Sequence, residues 1–106
     1  MSEIVVALST LPADFDAVPI ATALVDSRVA ACVTIVPGVQ SVYRWEGKVE
    51  NSREQQLVIK TTRDRLPALW AELKGRHPYD VPEFIVVPIL EGNPDYLRWV
   101  KESASG

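Results

Sequence analysis

Cys32 and His77 are the sole cysteine and histidine of the 106-residue sequence. Any nucleophile–base pairing of the familiar kind within one subunit therefore reduces to that couple. Cys32 lies in the apolar run Ala30-Ala31-Cys32-Val33, where a thiol most often serves as a small inert hydrophobe. His77 opens the segment His77-Pro78-Tyr79-Asp80-Val81-Pro82-Glu83. As an ordinary loop residue it would bond to backbone beside Pro78. As a functional one, its imidazole would join Tyr79, Asp80 and Glu83 in a polar site. One imidazole with carboxylates holds a divalent cation such as copper or zinc only modestly, so tight binding requires donors from another subunit.

A second group is Tyr43, Trp45, Glu54 and Lys60. Two aromatic faces, an anion and a cation on paired strands can line a ligand groove between chains. The same aromatics can equally anchor an interface, where Tyr and Trp are favoured. No glycine-rich phosphate loop, paired-cysteine metal motif or glycine-flanked nucleophilic serine is present.

The charge balance narrows the partners. A net charge of −3, a sequence pI of about 5.1 and the lack of a basic cluster argue against nucleic acid, which requires cations to displace counterions. No stretch reaches the roughly 20 apolar residues of a membrane span. The start Met1-Ser2-Glu3 has neither the positive end nor the long apolar core of a signal peptide, and a lone cysteine forms no internal disulfide. These features predict a cytoplasmic protein of one domain, residues 1–106.

The elements that must position these residues follow from periodicity. Residues 4–8 read as a buried strand that leaves through a loop at Ser9-Thr10-Leu11-Pro12. A helix follows, with Asp16 as N-cap, Pro19 in its first turn, and Val18, Ala21, Leu24, Val25 and Val29 on one face. Residues 30–62 read as a long hairpin turning at Glu46-Gly47-Lys48. Asp64 caps a second helix with Leu66, Leu69, Trp70 and Leu73 inward, and Gly75 stops it. Residues 84–90 form a fourth strand, at an edge because Pro88 cannot donate to a ladder. Asn93 and Pro94 open a last helix carrying Tyr96, Leu97 and Val100 inward.

That order predicts an α+β, ferredoxin-like β-α-β-β-α-β sandwich with an extra C-terminal helix and a long β2–β3 hairpin. At about 3.3 Å per residue, each arm of the hairpin spans roughly 50 Å, against a radius of gyration of about 13 Å for a domain of this size. The hairpin must overhang. An isolated two-stranded ribbon is marginal in water, and strands apolar at consecutive positions need cover on both faces. Both arguments predict an obligate oligomer, with a second copy of the chain as partner.

The segments Ala30-Ala31-Cys32-Val33, Tyr43-Arg44-Trp45-Glu46-Gly47-Lys48, Leu57-Val58-Ile59-Lys60-Thr61-Thr62, His77-Pro78-Tyr79-Asp80-Val81-Pro82-Glu83 and Asp95-Tyr96-Leu97-Arg98-Trp99 resemble, in order and spacing, the CutA family, named for divalent-cation tolerance. The resemblance implies a ferredoxin-like homotrimer related in shape to the PII signalling proteins, and a cytoplasmic role in response to copper and other divalent metal ions. It also implies copper binding by a thiol at the end of the first strand with the histidine of the His-Pro-Tyr motif. Here the histidine is His77, Ser9 and Thr10 occupy the strand end, and Arg76 stands where some relatives have a second histidine.

The leading expectation is thus a non-enzymatic trimer that binds a divalent cation or a small polar ligand in clefts between subunits. His77 would be the metal ligand, and Tyr43, Trp45, Glu54, Lys60, Tyr79 and Glu83 would line the cleft. No cofactor is required. The alternatives are a PII-like signalling or assembly module without physiological metal binding, and an enzyme of phosphoryl chemistry on the same sandwich, which would require a histidine nucleophile or an arginine-lined loop.

Overall fold

A computed structural model describes residues 3–106; Met1 and Ser2, read above for a leader, lie outside the described residues. The elements are β1 (Ile4–Pro12), α1 (Val18–Asp26), β2 (Cys32–Trp45), β3 (Lys48–Thr62), a 3-10 turn (Arg63–Arg65), α2 (Leu66–Arg76), β4 (Ile85–Pro88) and α3 (Pro94–Ser103). The four strands make one antiparallel sheet in the order β2-β3-β1-β4. This is the expected ferredoxin-like sandwich, with its extra helix and long hairpin.

The hairpin closes where the sequence is cheapest to turn. Trp45 pairs with Lys48, and Glu46 and Gly47 between them have φ of 50° and 81°. Positive φ at both central residues matches the right-handed twist of the arms. Farther down, the register passes from Val36↔Gln56 to Val39↔Glu54, which sets Pro37 and Gly38 opposite Gln55. This bulge bends the ribbon, and Gly38 at φ 72° supplies its left-handed residue. The long axis of the chain reaches 44 Å.

One sheet face is sealed by α1 and α2. Ala7, Leu11, Leu57 and Ile59 meet Ile20, Leu24, Leu69 and Leu73 in a single buried cluster. On the opposite face α3 covers one end only, through Val100 and Ala104 against Ile4 and Ala31. Beyond it Val36, Ile85 and Val87 are exposed on this face, and Val42, Tyr43, Trp45 and Val49 are exposed on the two faces of the projecting hairpin.

Several boundaries depart from the expectation. β1 does not leave at Ser9 but runs to Pro12, because β3 supplies ladder partners that far, from Ser9↔Leu57 to Pro12↔Glu54. Residue 17, not Asp16, is the N-cap of α1, and Asp16 Oδ1 instead accepts from Val18 N–H at 3.3 Å. Val18 and Val25 face outward, so the buried stripe of α1 is narrowed to Ile20, Ala21 and Leu24. Asp64 sits in the 3-10 turn and accepts from the Thr62 hydroxyl at 2.6 Å, while Arg65 is the cap of α2. That helix passes Gly75 and stops at His77, whose extended φ/ψ of −79°/135° is what a following proline demands. β4 is shorter than residues 84–90 but holds the predicted edge. Phe84, just outside it, packs on Trp70 with ring centroids 4.9 Å apart. In α3 the Asn93 side chain accepts from Asp95 N–H at 2.9 Å, as a cap should. Val100 turns inward there, whereas Tyr96 stays exposed beside Trp99.

Candidate functional site

The site is built where the loop after α2 folds back on the far end of β1. His77, forced out of the helix by Pro78, lays its ring against that strand. Its Nδ1 accepts from the Tyr79 backbone N–H at 3.1 Å, so the proton belongs on Nε2. Nε2–H then donates to the Thr10 carbonyl at 2.9 Å, with Ser9 Oγ 3.3 Å away. Both ring nitrogens are thereby engaged. Burial lowers the His77 pKa below its ordinary value of 6.5, against the opposing pull of the Thr10 carbonyl and the Glu54 charge.

Tyr79 carries the network to β3. Its hydroxyl donates to Glu54 Oε2 at 2.8 Å, and its ring lies 5.1 Å from that of His77, centroid to centroid. Glu54 is 7% exposed and held between Pro12 on β1 and Val39 on β2. A carboxylate so enclosed requires a donor. Burial raises the pKa of the Tyr79 phenol, and the hydrogen bond to Glu54 and the Glu54 charge push it further up. Glu83 is raised above 4.5, by burial first and by Glu54 second. Four of the predicted residues, Glu54, His77, Tyr79 and Glu83, therefore belong to one polar cluster.

The others are spread along the hairpin. Tyr43 hydrogen-bonds Ser52 Oγ at 2.7 Å. Trp45 stands at the hairpin end, 52% exposed. Lys60 lies six residues past Glu54 on β3, about 20 Å away at strand spacing, with its ammonium 5.7 Å from the Tyr96 ring centroid. Within one chain these side chains do not meet in a groove. Cys32 is the first residue of β2, half-buried, with Sγ 3.9 Å from Thr34 Oγ1.

Periodicity missed two participants that the family resemblance had set at the strand end facing the motif histidine. Ser9 and Thr10, read as a loop, are the partners of His77. The signal that could have found them is the period-two pattern continuing through Leu11, which places Ser9 in a strand. Among the described residues no group of three or more His, Cys, Asp or Glu could hold a metal ion. His77 feels the charge of Glu54, as Glu83 does, but its imidazole lone pair already accepts a backbone N–H.

The family model for CutA1 divalent ion tolerance proteins matches residues 5–103. The chain belongs to this family. The divalent-cation tolerance protein CutA of Thermus thermophilus is 48% identical over 103 residues, covering 97% of this chain and 98% of the relative. The solved structure of the T. thermophilus Cut A1 protein superposes with a TM-score of 0.92 at 47% identity, covering 96% and 99% of the two chains. That of CutA1 from Oryza sativa gives 0.92 at 43% identity, over 98% and 95%. The long hairpin, the sandwich and the appended α3 are thus the fold that the chain shares with solved CutA1 proteins.

Proposed function

We propose that this CutA chain works as a homotrimer, without enzymatic activity, taking up a divalent cation or a small polar ligand in clefts between its subunits. The observation that carries this reading is the uncovered projecting ribbon of the hairpin, with Tyr43 and Trp45 exposed on one of its faces and Val42 and Val49 on the other. A neighbouring copy placed on that ribbon removes apolar surface from water at about 25 cal/mol per Å². It also brings Tyr43 and Trp45 of one copy toward the polar residues of the next. A cation held at His77 would draw its remaining donors from that neighbour, since one chain offers too few. The cytoplasm is the proposed compartment; among the described residues no helix is long and apolar enough to cross a membrane.

The occupied state of His77 favours a second reading, a PII-like signalling or assembly module in which the histidine is an organiser of the Tyr79 loop. Calorimetric titration with copper and zinc separates the two. The first expects one site per chain that is weakened by His77→Ala. The second expects isotherms that are flat, or that are indifferent to the substitution.

A further inference from the structure

The long hairpin leaves the sheet at Glu54, the last residue of β3 that β1 pairs with, through Pro12. At that point β2 bulges, with Pro37 and Gly38 opposite Gln55 and Gly38 at φ 72°. A bulged root with a glycine, carrying a ribbon that has no core of its own, is where the angle of projection is free to vary.

Two buried side chains hold that root, and they do so from opposite faces, because consecutive strand residues point apart. Gln55 Nε2 donates to the Pro12 carbonyl at 2.9 Å and to that of Phe15, in the connection between β1 and α1. Glu54 accepts from the Tyr79 hydroxyl at 2.8 Å, in the loop after α2. That loop is itself fixed, since Nδ1 of His77 accepts from Tyr79 N–H and Nε2 bonds the Thr10 carbonyl. Neither side-chain bond belongs to the ladder, and each ties the root to a different connection of the domain.

We propose that Glu54 and Gln55 form a two-sided lock that fixes the angle at which the hairpin projects, with Tyr79 as the positioning residue that couples the His77 loop to it. Swinging the ribbon toward either face pulls one of the two bonds apart and leaves a buried polar group without its partner, a costly state. A ribbon already held at one angle meets a second copy of the chain with less freedom left to lose, which favours association. That consequence rests on the trimer reading above; the lock itself is a property of one chain.

Spin labels at Lys48→Cys, beside the hairpin turn, and at Ala71→Cys, on the exposed side of α2, read the angle as a distance within one chain. The background is Cys32→Ser, which removes the lone native thiol, and labelled chains are diluted with unlabelled ones so that only pairs within a chain contribute. The intact root is expected to give one narrow distance distribution. Tyr79→Phe and Gln55→Leu should each broaden or shift it with helix content retained. Glu54→Gln, whose amide oxygen still accepts from Tyr79, should keep it narrow. A role in stability alone would lower unfolding midpoints and leave the folded distances unmoved, and that result would overturn the proposal. So would a broad distribution with the root intact, a reading that stands even if a variant misfolds. Sedimentation of the same samples should show subunit association weakened about 10-fold by Tyr79→Phe, the loss of roughly one hydrogen bond. A single-chain species with a narrow distribution would sink the trimer reading and leave the lock standing, so the two failures are distinct.

Discussion

The β2–β3 hairpin is one continuous ladder with two different lives. At its base, residues 32–36 pair with 56–60, and Leu57 and Ile59 are wholly buried under α1 and α2. At its end, residues 39–45 pair with 48–54, and Val42 is 72% exposed. At the base β3 is laddered on both sides, to β1 and to β2, whereas at the end the two arms have only each other. The base has a core; beyond Glu54 the end has no such cover, and its cross-strand side-chain bonds are diagonal ones, Gln40 to Asn51 at 3.1 Å and Tyr43 to Ser52 at 2.7 Å, each contributing a fraction of a kcal/mol. Ladder bonds alone do not hold a ribbon in water. The difference is what the proposed trimer rests on: the projecting half has no cover within its own chain.

Substitutions sharpen that contrast. Leu57→Ala empties a packed site at the base and should cost about 2–5 kcal/mol of unfolding free energy in urea titrations. Trp45→Ala at the end should leave the secondary structure intact and act on assembly. If the ring is a central anchor, the loss is about 2 kcal/mol, or roughly 30-fold in subunit dissociation by sedimentation. Equal effects of the two on unfolding of a lone chain would erase the distinction between base and end.

Smaller effects belong to the polar cluster at the bulge, where the two halves meet. Tyr79→Phe leaves enclosed Glu54 without its hydroxyl donor and should cost about 1–3 kcal/mol in thermal or urea unfolding. The pH response has two opposed parts. The folded His77 titrates below 6.5, so the unfolded chain binds more protons there. Stability is then full above 6.5 and falls as the pH drops through the folded value. Folded Glu83 titrates above 4.5, so its contribution is full below 4.5 and is lost as the pH rises through the folded value. Unfolding midpoints followed across the acid range should lose the first slope in His77→Gln and the second in Glu83→Gln. Unchanged profiles would contradict the burial of these groups. Gly47→Ala, at φ 81°, should be mildest, about 1 kcal/mol, from forcing a Cβ into the left-handed region.

Much of this was legible in the residues. The hairpin could be read from two β-branched arms around Gly47, and the edge position of β4 from Pro88. The end of β1 carried only a weak trace, the period-two pattern continuing through Leu11. Ser9, Thr10 and Pro12 look like a loop in isolation, and the pairing of β3 with them across the sheet is what holds them as a strand. Likewise α2 looked finished at Gly75, yet a glycine merely weakens a helix, and it is Pro78 that ends this one by restricting His77. Of the site, the cluster of His77, Tyr79 and Glu83 was visible as a local motif. The bond from Tyr79 to Glu54 spans 25 residues and leaves no periodic trace. Lys60 and Trp45 were placed beside Glu54 by strand membership alone. Strand length, about 3.3 Å per residue, is what keeps them apart within a chain.

Sedimentation of the purified protein at micromolar concentration tests the claim on which the others depend. A homogeneous species of three times the 11.7 kDa chain mass, dissociated by Trp45→Ala while its helices persist, is the predicted result. A well-folded species of a single chain mass would mean that the projecting ribbon is stable uncovered, and the shared clefts would then have no basis.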